Sequence, residues 1–165
     1  MNEQINERMN TFTVIPRVLA FIEKEEEILL IKRLKKNAFA YQKWNGVGGH
    51  IEKGEDPLTA MRREVKEECG LNIAEFCLHA IVFIDIETEK GISVFVYSAT
   101  YQGGQIKASN EGELKWVKRN ELGKYNIIKD IPVLLDVIEE SKKDQKIKYL
   151  QYIYTQEELT IRRIV

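Results

Sequence analysis

The stretch from Gly48 to Leu71, GGHIEKGEDPLTAMRREVKEECGL, constrains the fold more than any other part of the chain. Asp56 is a natural N-cap, Pro57 suits the first helical position and Gly70 is placed as a C-terminal stop, so the sequence predicts a helix between them. At about 100° per residue, Leu58, Met61, Val65 and Cys69 form one apolar stripe that should pack on a sheet. Glu64, Glu67 and Glu68 stand at i, i+3 and i+4 and share the adjoining stripe. Like charges at these spacings cost roughly 0.2–0.5 kcal/mol per pair in a bare helix, a cost that a shared cation would remove. Carboxylates suit a hard ion such as Mg²⁺ or Mn²⁺, and no His/Cys cluster competes for zinc. Spacing alone leaves two readings open, a solvated acidic face and a metal site.

The rest of the chain places this helix in a mixed fold. With 165 residues and 44% hydrophobic content, the chain is one domain's worth, a polar leader over residues 1–10 and a single domain over 11–165. FTVIPRVLAFI and EEILLIKR read as a hairpin, with Pro16 at an edge or bulge. In WNGVGG, three glycines within four residues after Asn45 imply unusual backbone geometry. CLHAIVFIDI, ISVFVYSATY and GELKWV read as strands. KDIPVLLDVIEESK has helical spacing with Asp130 as its cap, and IKYLQYIYTQEELTIRRIV reads as two closing strands. The expected fold is α/β, with a mixed sheet between helices.

Charge and cysteine content narrow the function classes. Twenty-five basic and 26 acidic residues give a formal net charge of −1, so there is no global pull toward nucleic acid or anionic membrane. Cys69 and Cys77 are too few for a disulfide scaffold and read as reduced, buried thiols, which points to a cytoplasmic location. MNEQINERMN lacks a signal-peptide core, and the apolar stretches are short and broken by charges such as Arg17 and Lys32, against export and membrane spanning.

The complete pattern is more specific than the helix. Gly49, five residues, Glu55, seven residues, then Arg63-Glu64-Val65-x-Glu67-Glu68-x-Gly70-Leu71 resembles a full Nudix box, with all nine specified positions matched over 23 residues. The resemblance implies a Nudix-type α/β/α sandwich that hydrolyses a nucleoside diphosphate linked to another moiety. It implies that Glu64, Glu67 and Glu68 bind Mg²⁺, with Mn²⁺ as the substitute, and that the Gly49 carbonyl is a further ligand. Glu67 or Glu68 would serve the base that deprotonates water, and Arg63 would brace the loop through Glu55.

Upstream, KWNGVGGHIEKGE resembles MutT-type enzymes that cleanse oxidised purine nucleoside triphosphates. That resemblance implies that Asn45 hydrogen-bonds a purine, Phe39 stacks on it and Phe83 walls its pocket. Read only as residues, Asn45 is a turn residue before Gly46, Phe39 a loop anchor and Phe83 a core side chain. Glu111 aligns with a late metal-proximal glutamate, with Glu113 as its alternative. Lys35 and Lys36 would meet the triphosphate or form a solvated turn, His50 would approach a phosphate or lie exposed, and His79 reads as structural. The paired acids with which the animal enzymes read an oxidised base are reduced here to Asp130.

The expected partner is therefore a small-molecule nucleotide, met by a monomer or homodimer, with no membrane or long nucleic acid involved. The leading expectation is a modified purine nucleoside triphosphate cleaved to monophosphate and pyrophosphate. ADP-ribose, dinucleoside polyphosphates and capped RNA are the alternatives within the enzyme class. A nucleotide-binding sensor without turnover is the alternative outside it.

Overall fold

The computed structural model describes residues 11–34, 41–86, 88–110, 112–155 and 158–164. Nine strands form one sheet: β1 (Thr13–Lys24), β2 (Glu27–Arg33), β3 (Trp44–Asn45), β4 (Val47–His50), β5 (Cys77–Asp85), β6 (Lys90–Thr100), β7 (Gly112–Lys118), β8 (Lys148–Tyr154) and β9 (Leu159–Ile164). Among the described residues two helices flank it, α1 (Pro57–Cys69) and α2 (Ile131–Asp144), and a 3₁₀ turn spans Arg119–Lys124. The main path runs β3-β2-β1-β6-β5-β8-β9, with β4 paired to β1 and β7 to β2. The β1/β6 and β5/β8 pairs are parallel, and the other pairs are antiparallel, so the sheet is mixed as expected.

Strand alternation divides the core into two layers. Val18, Ala20 and Ile22 of β1 face α1, where they meet Met61, Val65 and Cys69. Leu19 and Phe21 face the other way, toward Leu134 and Ile138 of α2. Met61 and Val65 are fully buried, and each such side chain contributes about 1.5–3 kcal/mol to docking the helix. Helix α1 has the expected ends. The Asp56 side chain accepts from Leu58 N at 2.9 Å and Thr59 N at 3.0 Å, and Gly70 closes the helix at φ 72°.

Three expectations change. Pro16 lies within β1, a central strand, but β4 pairs with β1 only from Arg17 onward. The Pro16 carbonyl accepts from Ile51 N, so proline's missing donor falls where that pairing ends. The glycines after Asn45 do not adopt left-handed backbone. They form β4 and permit close approach: a Cβ on Gly48 would lie 2.1 Å from the Val18 carbonyl oxygen. Cys69 is buried as expected, whereas Cys77, first in β5, is exposed. Among the described residues, no helix is long and apolar enough to cross a membrane.

Candidate active site

Arg63 ties helix α1 to the segment before it. Its Nε and Nη2 donate to the two carboxylate oxygens of Glu55 at 2.7 and 2.9 Å, and Nη2 also donates to the His50 carbonyl at 2.9 Å. Glu55 in turn accepts from Glu52 N at 3.0 Å. These bonds, those from Arg63 first, hold the Glu55 carboxyl at a pKa of about 2. The brace fixes the chain between β4 and α1, and so fixes Gly49 over the helix.

The three box glutamates share a helix face but not a common point. Arg63 Nη1 donates to Glu64 Oε1 at 2.8 Å and Glu67 Oε2 at 3.3 Å. Glu68 turns beneath β4, where Gly48 N donates to it at 3.1 Å and the Arg33 guanidinium stands 3.5 Å away. Glu68 is 4% exposed, whereas the Glu67 side chain is 60% exposed. Among the described residues, no three His, Cys, Asp or Glu side chains gather closely enough to hold an ion. The expected convergence of all three is thus corrected: the Arg63 guanidinium holds Glu64 and Glu67, while the Gly48 amide and Arg33 draw Glu68 beneath β4, and these partners relieve their repulsion.

The donor set nevertheless suits a hard divalent ion. It is made of carboxylates and backbone oxygen, and Gly49 lies so close to Glu64 that a Cβ would sit 2.4 Å from Oε1. Burial pushes the Glu64 pKa up, and Arg63 offsets this only in part. A bound cation would favour the ionised carboxylate that burial penalises.

On the α2 side of the sheet, the same strand β4 borders a cleft of about 360 Å³. A cleft of this size is within the range of small-ligand sites, about 300–1,000 Å³. Val82, Ile84, Val94 and Leu134 give it apolar walls. Asn45, Gly48, Gly49 and His50 form one rim with Arg17 and Arg33, and Asp130, Tyr152 and Tyr154 lie among the remaining lining groups. The Asn45 Oδ1 accepts from Gly46 N at 2.8 Å, so this side chain both supports the turn and faces the cleft.

Asp130 precedes α2 but makes no side-chain cap bond, contrary to expectation. It lines the cleft instead, where burial pushes its pKa up. Phe83 is also corrected. Val82 and Ile84 point into the cleft, so strand alternation sends Phe83 to the opposite face, where it is 43% exposed. Glu113 lies on β7 and pairs with Lys32 at 3.5 Å. His79 is buried between the Ser141 and Ser98 hydroxyls at 3.0 and 2.8 Å, a structural role. Lys35, Lys36, Phe39 and Glu111 lie outside the described residues.

A profile of the NUDIX domain matches residues 13–139. The chain belongs to the NUDIX family. Over 107 residues it is 28% identical to the oxidized purine nucleoside triphosphate hydrolase of Mus musculus, an alignment covering 63% of this chain and 66% of the mouse protein. Over 109 residues it is 32% identical to the 8-oxo-dGDP phosphatase NUDT18 of Homo sapiens, covering 62% of this chain and 31% of the human protein. The chain thus spans less than two thirds of each of these relatives. Among solved structures, the MutT protein from Bacillus halodurans superposes with a TM-score of 0.73 at 23% identity, covering 91% of this chain and 97% of that one. That likeness extends the shared NUDIX fold over almost the whole chain.

The NUDIX match ends before β8 and β9, yet β8 supplies Tyr152 and Tyr154 to the cleft. The sequence did not mark these tyrosines as site residues, nor Arg33, and it offered Arg17 only as a charge that interrupts an apolar stretch. Arg17 did carry a signal: on the β1 face shared with Leu19 and Phe21, it is a charge at an otherwise apolar period of two.

Proposed function

We propose that this NUDIX chain is a Mg²⁺-dependent pyrophosphohydrolase of purine nucleoside triphosphates, modified or oxidised purines included, with Mn²⁺ able to replace Mg²⁺. The observation that carries this reading is the two-sided use of β4. One side of the Gly48–His50 segment meets the carboxylates of α1, and the other borders a cleft sized for a nucleoside. The names of the mouse and human relatives, both acting on purine nucleotides, support the substrate class.

Glu64, Glu67, Glu68 and the Gly49 carbonyl would hold the ion, with Glu111 joining from outside the described residues. When bound, it neutralises phosphate oxygens and makes the attacking water more acidic. Glu67 or Glu68 receives the water's proton as the new phosphorus–oxygen bond forms and the anhydride bond breaks, giving monophosphate and pyrophosphate. Arg63 keeps the helix and the Gly49 segment in register through Glu55. Asn45 and Asp130 offer the cleft an amide and a carboxyl with which to read a base edge. The apolar walls exclude water from around the base.

The reading is tested by measuring kcat/KM with Mg²⁺ for purine and pyrimidine triphosphates, their oxidised forms and ADP-ribose. Purine triphosphates should lead and should release pyrophosphate. Combining Glu67→Gln with Glu68→Gln should lower kcat by ~10²-fold or more. A tenfold or greater preference for ADP-ribose, or full activity in the double variant, refutes it.

A further inference from the structure

Arg17 lies on the central strand β1, with Val94 of β6 on one side and His50 of β4 on the other. Its side chain is half-buried in the cleft, on the face that carries Leu19 and Phe21 into the α2 core. Its Nε is buried with no hydrogen-bond partner, and among the described residues no carboxylate pairs with it. The groups nearest in charge are alike: Arg33, which donates to the Gly48 carbonyl, and His50. Burial, and after it the charge of Arg33, pull the Arg17 pKa below its ordinary value. Burial, then Arg17, then Arg33 do the same to His50.

An arginine with no counter-ion among the described residues, set among valines and beside a second arginine, opposes folding unless something anionic completes it. Solvated basic side chains do not need such an explanation; a guanidinium with a buried orphan donor does. Among the described residues, the carboxylates of the cleft do not fill the role. Glu68 lies by Gly48 and Arg33, and Asp130, in the segment before α2, stands beside Tyr152 and forms no ion pair with Arg17.

We propose that Arg17, with Arg33 beside it, is the anion-binding residue of the cleft and grips the phosphate joined to the nucleoside. This deepens the hydrolase reading and rests on it for the nucleotide. The planar guanidinium gives paired N–H donors that match two phosphate oxygens. Its position on β1, level with His50, places that phosphate where the apolar chamber meets the Gly49 segment, so the base would occupy the chamber while the remaining phosphates extend toward α1.

The test uses the full chain without divalent ion, and compares calorimetric binding of guanosine monophosphate and guanosine to wild type, Arg17→Lys and Arg17→Met. Wild type should prefer the monophosphate at least tenfold. Arg17→Met should bind guanosine as wild type does and lose the preference, and Arg17→Lys should keep part of it. In thermal melts, inorganic phosphate should stabilise wild type but not Arg17→Met, and ligand-free Arg17→Met should melt no lower than wild type. A tenfold preference that survives in Arg17→Met, or a marked fall in its ligand-free melting temperature, overturns the proposal. If no nucleotide is hydrolysed but the Arg17-dependent preference is present, the hydrolase reading fails and the anion site stands.

Discussion

Arg63 and Glu55 form a two-pronged ion pair, 2.7 and 2.9 Å, that bridges the end of the segment leading into helix α1 to the helix's second turn. The pair holds the Glu55 carboxyl ionised down to about pH 2, below the 4.5 of a free glutamate. A depressed carboxyl pKa contributes stability that is fully present above pH 4.5 and is lost as pH falls through about 2. Melting temperature measured from pH 5 to 2 should therefore fall more steeply in wild type than in Glu55→Gln. Parallel curves would show that the pair contributes nothing to acid stability.

Glu64 has the opposite sign. Burial raises its pKa, so its contribution to metal-free stability is present at low pH and lost as pH rises past the ordinary carboxylate range. Without metal, Glu64→Gln should melt higher than wild type at pH 7, and the gap should close near pH 4. Adding Mg²⁺ at pH 7 should raise the wild-type melting temperature and leave Glu64→Gln almost unmoved. Equal stabilisation of both proteins would remove Glu64 from the ion-binding set.

The adjacent glycines should fail in different ways. In Gly48→Ala the new methyl meets backbone, the Val18 carbonyl oxygen at 2.1 Å, and the strand cannot yield; about 3 kcal/mol of stability should be lost in denaturant titration. In Gly49→Ala the methyl meets the Glu64 carboxylate at 2.4 Å, and a side chain can turn aside. Stability should then change by less than about 1 kcal/mol, while kcat falls at least ~10-fold because Glu64 is displaced. Comparable stability losses in the two variants would contradict this division.

The two thiols should separate cleanly. Burial pushes the Cys69 pKa up to about 12, whereas Cys77 is exposed at the start of β5. A thiol-specific reagent at pH 8 should label one cysteine in the folded chain and two in denaturant, and peptide mapping should place the first label on Cys77.

Local signals were the legible ones. Asp56, Pro57 and Gly70 act on their own few residues, so the ends of α1 could be read directly, as could the apolar stripe of Met61 and Val65. The strands of the C-terminal hairpin were visible for the same reason, because alternation is local. What escaped depended on partners distant in sequence. The side of the sheet that Phe83 faces follows from the β5 pairing, and Asp130, which makes no cap bond, lines a cleft whose other residues come from distant strands. The separate partners of Glu67 and Glu68 depend on where β4 crosses α1, which the helix's own periodicity does not encode. Arg17 is the intermediate case: its charge broke an apolar alternation in plain view, and only the sheet showed that the break opens into a chamber.

Strand β8 joins the sheet beside β5, a partner made long before it, and brings Tyr152 and Tyr154 to the cleft. On the ribosome, therefore, the acidic helix and the glycine segment emerge and can fold before the chamber has its last wall. The cleft is completed later than the acidic helix face, and a chain cut after α2 would retain every residue of the NUDIX motif yet leave the cleft open to water.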